Sequence, residues 1–225
     1  MGDRRRRLEP HDAILLSSDV SLRPALTRLN LSNNHAFGPD GGTAIAAATS
    51  EHASLTELNL ENNGLCGLNR SGQGSFTSTA ISAIIDRVAQ SPITSLSLAS
   101  NALSDAGTLA LVESFRAASA CAIAQLDLCD NNIRVEGGKA LAALISGMPT
   151  LAELNLRGNR LCGVSLDVRT QKRTGQYTAE AILGLADATR GSKGLRVLNL
   201  EENLIDSPSR AALEEAKPTQ LLLRV

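Results

Sequence analysis

The residues that most resemble reactive groups lie in the stretch LCGLNRSGQGSF, from Leu65 to Phe76. It contains a cysteine beside glycine, an arginine, and a Gly-x-Gly pair between serines. Glycine-rich turns bind phosphate through converging backbone N–H groups, and an activated cysteine can act as a nucleophile or a redox group. A phosphate loop usually adds a lysine, however, and a reactive thiol needs a nearby base or a second thiol. This stretch contains none of these three groups, so it favours neither chemistry by itself.

A second stretch repeats the design: LCGVSLDVRTQKRTGQY, from Leu161 to Tyr177. Both begin with Leu-Cys-Gly, and GSFT near the end of the first corresponds to GQYT at the end of the second. The second copy has lost one glycine of the Gly-x-Gly pair, which weakens the phosphate-binding interpretation further. We therefore interpret both as insertions of one kind, each entered by a small buried cysteine (Cys66 or Cys162) and continued as a flexible loop.

Other catalytic and metal sites are disfavoured on similar grounds. The four cysteines include no CxxC pair, and all three histidines fall within the first 52 residues. A zinc site needs clustered ligands, and a serine or cysteine hydrolase needs a nucleophile, a base and an orienting group. We predict a protein without catalytic activity, metal or cofactor.

An internal repeat sets the elements that position the two insertions. Six segments match L-x-x-L-x-L-x-x-N without gaps, with Ile allowed at the first position: Leu26–Asn34, Leu55–Asn63, Ile93–Asn101, Ile123–Asn131, Leu151–Asn159 and Leu195–Asn203. A truncated seventh copy, TQLLLRV, closes the sequence. Successive final asparagines are 29, 38, 30, 28 and 44 residues apart, and the two long units are those that carry the insertions.

Each position of the repeat has a structural interpretation. Leu-x-Leu alternation predicts a short strand, with Leu29 and Leu31 pointing together into a core. The final asparagine of each copy is predicted to hydrogen-bond backbone groups where the chain leaves the strand, so that stacked copies form a ladder. The segments between the strands are rich in Ala and Leu at helical spacing, which predicts one helix per unit.

This pattern resembles the leucine-rich repeat family, over roughly residues 25–225. A strand and a helix every 28 to 30 residues is similar to the ribonuclease-inhibitor type of repeat. The resemblance implies an α/β solenoid, a horseshoe with a parallel β-sheet on the concave face and α-helices on the convex face. We expect residues 8–225 to form a single domain of six full repeats plus a truncated terminal strand, with a degenerate cap at 8–25 and a basic disordered tail at 1–7.

Charge and composition narrow the partners and the compartment. The formal net charge is −1, but from Leu8 onward 18 basic and 22 acidic residues give −4, which argues against nucleic-acid binding. No apolar run is long enough for a membrane span, and four cysteines without an apolar signal segment indicate reduced thiols. We expect a cytoplasmic monomer. The run Arg4–Arg7 is compatible with a disordered tail, a nuclear signal or an anionic-lipid contact.

The outward residues of the predicted strands form three columns that are polar and partly acidic. Together with charged residues of the insertions they make up the predicted partner-binding surface. The column that opens the strands contains Arg28, Glu57, Ser95, Gln125 and Glu153; the column between the inner leucines contains Asn30, Asn59, Ser97, Asp127, Asn155 and Asn199; the column after them contains Glu61, Arg157 and Glu201; and the insertions contribute Arg70, Arg169, Lys172 and Arg173.

These observations predict a non-catalytic protein-interaction scaffold that binds a protein partner through the concave sheet face and the two long loops. An alternative follows from the repeat type, which resembles that of the Ran GTPase-activating proteins. That resemblance implies a regulatory module acting on a small GTPase. No local motif carries an activating residue of that family over to this chain.

Overall fold

The structure, a computed structural model, describes residues 8–49, 52–68, 73–118, 121–167 and 169–225. The predicted basic tail and the predicted contact residue Arg70 lie outside these ranges.

Strands and helices alternate along the described chain. The strands are β1 (Arg28–Asn30), β2 (Glu57–Asn59), β3 (Ser95–Ser97), β4 (Gln125–Asp127), β5 (Glu153–Asn155), β6 (Ser165–Asp167), β7 (Lys172–Thr174), β8 (Val197–Asn199) and β9 (Leu222–Arg224). The helices are α1 (Pro10–Ser21), α2 (Gly38–Thr49), α3 (Thr79–Val88), α4 (Ser104–Ala117), α5 (Val135–Gly147), α6 (Glu180–Gly191) and α7 (Ser207–Ala216).

The strands of the repeat copies pair in parallel as one seven-stranded sheet, in the order β1-β2-β3-β4-β5-β8-β9. Every pairing joins equivalent positions, so Leu58 lies between Leu29 and Leu96. Strands β6 and β7 form a separate antiparallel pair inside the second insertion. The predicted α/β solenoid, with a parallel sheet on one face and helices on the other, is confirmed.

The core lies between the sheet and the helices and is almost entirely aliphatic. The two inner leucines of a repeat, such as Leu96 and Leu98, are at most 1% exposed, and helix residues such as Ile84 and Leu111 meet them fully buried. Burying one such side chain stabilises the fold by about 1.5–3 kcal/mol relative to leaving it in water. The helices and strands of successive units thus contribute to one continuous core.

Helix α1 covers the open side of the first repeat, as the end of a repeat array requires. The backbone N–H of Leu8, just before this helix, donates to Asn34 Oδ1 at 3.0 Å. At the other end of the helix, His52 Nε2 contacts the carbonyl of the buried Val20 at 3.1 Å. Asn34, in the turn after β1, and His52, in the loop before β2, thus hold α1 at its two ends.

The predicted ladder of buried asparagines is confirmed. Asn101 shows the pattern: Oδ1 accepts the N–H groups of Asn63 and Leu65 at 3.0 and 3.2 Å, and Nδ2 donates to the carbonyls of Leu60 and Leu98 at 2.9 and 3.1 Å. Asn131 and Asn159 repeat this arrangement toward the C-terminus. Asn63 departs from it in part, because its buried Nδ2 has no hydrogen-bond partner among the described residues. Asn101, Asn131 and Asn159 therefore each satisfy their own turn and the turn before it, whereas Asn63 bonds only the turn before it.

Replacing Asn101 by alanine should lower the free energy of unfolding by about 2–4 kcal/mol, because two buried N–H groups and two buried carbonyls lose a partner. Urea unfolding followed by circular dichroism measures the change. Gln125→Ala removes a polar side chain that is exposed on the sheet, and it should cost less than about 0.5 kcal/mol. An equal loss in both variants would contradict the role given to the ladder.

Candidate binding surface

The outward side chains of the strands form one surface, called here the sheet face, on which the predicted strand residues lie together. The strand register aligns the first two predicted columns across the sheet. The third column continues the stacking just past the strands, where the N–H groups of Asn33 and Asp130 donate to the carbonyls of Glu61 and Arg157 at 2.9 Å. Asn199 is only 8% exposed, so it contributes less surface than the other predicted residues.

The middle column has a backbone role that the sequence did not reveal. Oδ1 of Asn30, Asn59 and Asn199 accepts the N–H two residues further on, at 2.9, 2.9 and 3.0 Å. Asp127 and Asn155 do the same at 3.1 and 3.2 Å. These short polar side chains therefore close the turn that ends each strand. Their Oδ1 atoms are committed to the fold, and the second oxygen of Asp127 accepts a hydrogen bond from Ser97 Oγ at 3.5 Å.

The charges on the sheet face leave an acidic excess. Arg28 Nε pairs with Glu57 at 2.9 Å, and Arg157 pairs with Glu202, which raises the pKa of Arg157. Both pairs are substantially exposed, so each contributes little to stability. Three further carboxylates on this face have no ion-pair partner among the described residues: Glu61, Glu153 and Glu201.

A groove of about 470 Å³ crosses the sheet face over β3, β4, β5, β8 and β9. Its lining includes Ser97, Asp127 and Glu153, which were predicted, and Arg224, which was not. The truncated copy TQLLLRV was the available signal, because its Arg224 occupies the same register position as Asn199. The groove is therefore polar, with the carboxylates of Asp127 and Glu153 along it and the cation Arg224 at its C-terminal side.

The two insertions are closed at the base by the same device. The carbonyl of Cys66 accepts the N–H of Thr77, and the carbonyl of Cys162 accepts the N–H of Thr178, both at 3.0 Å. Cys66 and Cys162 are 0% exposed, so the prediction of small buried cysteines is confirmed. Burial raises the pKa of the Cys66 thiol to about 12 and also raises that of Cys162, so neither is an activated nucleophile at neutral pH.

The described part of the second insertion is a β-hairpin, which corrects the expectation of a flexible loop. Ser165–Asp167 pairs with Lys172–Thr174, and Ser165 Oγ lies 2.8 Å from Thr174 Oγ1. At the turn, Asp167 Oδ1 accepts the N–H groups of Arg169 and Thr170 at 2.8 and 3.2 Å, which lowers the pKa of Asp167. Cross-strand bonds and this side-chain turn order the segment despite its polar composition.

The aromatic residues that end the insertions differ in their contacts. Tyr177 lies against the start of α7: its hydroxyl is 2.8 Å from Ser209 Oγ and accepts the N–H of Asp206 at 3.3 Å. Its counterpart Phe76 has no hydroxyl and is 41% exposed. The second insertion is therefore tied to the following repeat by hydrogen bonds that the first cannot make.

Within the described ranges no three His, Cys, Asp or Glu side chains cluster as metal ligands would. No helix in this part of the chain is long and apolar enough to cross a membrane.

Comparison with known proteins addresses the fold. A family model described as "Leucine Rich repeat" matches residues 24–46, 90–112 and 125–142. The structure resembles the tropomodulin C-terminal domain from Caenorhabditis elegans, with a TM-score of 0.50 at 14% identity over 89% of this chain and 90% of that one. It also resembles leiomodin-1 actin-binding site 2, with a TM-score of 0.48 at 14% identity over 91% of this chain and 86% of that one. No curated protein sequence matches.

Gly175→Ala should open the base of the hairpin. Gly175 has φ +94°, and an added Cβ would lie 2.2 Å from the carbonyl oxygen of Gly163. We expect the free energy of unfolding to fall by about 1–3 kcal/mol and trypsin to cleave the hairpin faster. The matched variant is Gly191→Ala at the end of α6, where an added Cβ meets nothing within 4 Å. Unchanged proteolysis in Gly175→Ala would contradict this account.

We expect the thiol of Cys129 to react slowly with an alkylating reagent. Burial, with repulsion from Asp127 and Asp130, raises the pKa of Cys129 to about 12. Because the thiolate is the nucleophile, iodoacetamide should modify Cys129 about 10³-fold more slowly at pH 8 than an unperturbed cysteine, and about tenfold faster for each pH unit above that. Mass spectrometry of the native chain measures the rate, with the urea-unfolded chain as control. Ordinary reactivity in the native chain at pH 8 would show the shift to be absent.

Proposed function

We propose that this chain, whose repeats match the leucine-rich-repeat model, is a non-catalytic scaffold that binds a protein partner across the sheet face. The proposal rests mainly on one observation: seven strands in register present a continuous polar surface with a groove and with carboxylates that form no ion pair among the described residues. Aliphatic side chains fill the inner side of the sheet, so the outward residues of the first and third columns can differ from repeat to repeat without disturbing the core.

The charge of the sheet face defines the chemistry of that partner. Among the described residues Glu61, Glu153 and Glu201 form no ion pair, the cations Arg28 and Arg157 are already paired, and Arg224 at the C-terminal side of the groove is a further cation. A basic protein surface complements this arrangement. The face carries no aromatic anchor, so we infer that charge contributes more to affinity and orientation than apolar burial does.

The two insertions supply a second contact in this proposal. Their bases are fixed at the same edge of the repeats, and the hairpin carries the exposed cations Arg169, Lys172 and Arg173. The ribonuclease-inhibitor subtype, the monomeric state and the cytoplasmic location remain predictions from the sequence.

The alternative of a module that acts on a small GTPase has no supporting observation. The leiomodin-1 likeness, although named for an actin-binding site, is too weak to assign a partner here.

A charge-altered sheet face should lose its partner. We expect Glu61→Lys/Asp127→Asn/Glu153→Lys to reduce recovery of bound proteins by about tenfold or more in affinity capture with quantitative mass spectrometry, since the change removes electrostatic complementarity. Asparagine at position 127 keeps the oxygen that accepts the Cys129 N–H, and Glu57 is left intact because Arg28 pairs with it.

The matched control changes the same charges on exposed helix residues: Glu113→Lys/Asp86→Asn/Glu215→Lys. It should capture the same proteins as the wild type. Urea unfolding of both triple variants checks that the fold survives. Full capture by the sheet-face variant would refute the proposed face. A further chain with residues 166–173 replaced by an Asn-Gly turn measures the share contributed by the hairpin.

A further inference from the structure

Two arginines outside the predicted surface lie side by side at the edge from which the hairpin leaves. Arg134 directly precedes α5, and Arg160 follows the ladder residue Asn159. Their turns are joined, because the N–H of Arg160 donates to the carbonyl of Ile133 at 2.7 Å. Stacking of successive repeats thus brings together two residues that are far apart in sequence.

The hairpin begins at the same place. A Cβ built on Gly163, at the entry to the hairpin, would lie 3.5 Å from Val135 Cγ2, so the base of the hairpin packs on the first residue of α5. Three exposed hairpin cations extend from that base. We call the whole set the basic rim: Arg134, Arg160, Arg169, Lys172 and Arg173.

Neither Arg134 nor Arg160 has a carboxylate within salt-bridge distance in the described parts of the chain. Burial lowers the pKa of Arg160, and repulsion from Arg134 lowers it further, so the two charges lie close together without a counter-charge. Nearby carboxylates are engaged elsewhere. Asp105 Oδ1 accepts the N–H groups of Arg134 and Gly137, both at 2.8 Å.

The remaining acids around the rim are also occupied. Glu136 and Glu180 share Lys139, at 3.1 and 3.3 Å. Asp167 closes the hairpin turn through two backbone N–H groups, and Asp206 caps α7 through the N–H of Ser209 at 2.8 Å. Asp105, Asp167 and Asp206 keep their negative charge while they accept these hydrogen bonds, but none of them forms an ion pair with a rim cation among the described residues. The rim therefore presents cations that have no ion pair within the described chain.

We propose that the basic rim binds an acidic segment of a partner protein, with the Arg134 and Arg160 guanidinium groups gripping its carboxylates. Arginine suits this task because its planar guanidinium bonds a carboxylate through two parallel N–H groups. The rim is distinct from the sheet face but includes the hairpin cations of the proposed second contact, so it deepens that part of the proposed function. The sheet-face proposal can fail without it.

A protein segment fits the rim better than a nucleic acid. The chain from Leu8 onward has a net charge of −4, and the acidic sheet face repels a polyphosphate that extends beyond the rim. Single-stranded nucleic acids also need aromatic side chains for base stacking, and none lies between Val164 and Gln176.

Fluorescence anisotropy with a labelled Glu/Gly/Ser peptide tests the proposal, with a matched peptide in which every Glu is Lys and a duplex DNA as comparisons. The wild type should bind the Glu peptide, more weakly as salt rises. Arg134→Glu/Arg160→Glu should reduce that affinity by about tenfold or more. Arg134→Gln/Arg160→Gln should also weaken it, and it serves as the test if charge reversal unfolds the protein.

The matched control reverses two exposed arginines of the helix face, Arg87→Glu/Arg116→Glu, and should bind the peptide like the wild type. The sheet-face triple variant should bind it at least as tightly as the wild type, so failure of that surface is distinguishable from failure of the rim. Equal binding by the folded rim variants, or preference for the Lys peptide, overturns the proposal. Tighter binding of the DNA would overturn it as well and assign the rim to nucleic acid.

Discussion

The fold depends on satisfying the backbone groups that each repeat buries where its strand ends. That turn lies inside the stack, where unpaired N–H and carbonyl groups are costly. Asparagine meets the need because its side chain offers both an acceptor and a donor of the required length. Oδ1 of each ladder residue reaches into the preceding turn, and Asn34 extends the chain of bonds to the N–H of Leu8. One side chain per repeat thus joins neighbouring units as well as closing its own.

This constraint also decides where the long units can carry extra residues. The strand, the asparagine and the following apolar residue are fixed by the stack, so an insertion leaves the chain only after them. Cys66 and Cys162 occupy that point, fully buried, and their carbonyls receive the returning chain. The base of the hairpin therefore lies directly beside the asparagine ladder and is closed by the Cys162 carbonyl, so the hairpin cations extend from a fixed base. Cys66 and Cys162, which look reactive in the sequence, are therefore buried structural residues at the base of the two insertions.

The repeat period was sufficient to predict the strands, the helices and the residues of the sheet face, because gapless copies fix both register and direction. The direction in which a side chain points does not reveal its hydrogen bonds. The turn-closing bonds of Asn30 and its equivalents were therefore not predicted. The hairpin was not predicted either, because it lies in an insertion outside the repeat pattern, and its turn depends on the local hydrogen bonds of Asp167. Arg134 and Arg160 lie in turns outside the strand pattern, and only the stacking of the repeats shows that they are neighbours.

The two proposed surfaces have opposite sign, and this difference has a consequence for recognition. In the described part of the chain, the sheet face carries carboxylates without ion pairs, and the rim at the hairpin edge carries guanidinium groups without ion pairs. A partner that touches both must present basic and acidic regions in a fixed order, because the reversed orientation sets like charges against each other. The core cannot impose such a choice, since every repeat buries nearly the same leucines. The orientation of a bound partner is therefore encoded in side chains that contribute little to folding.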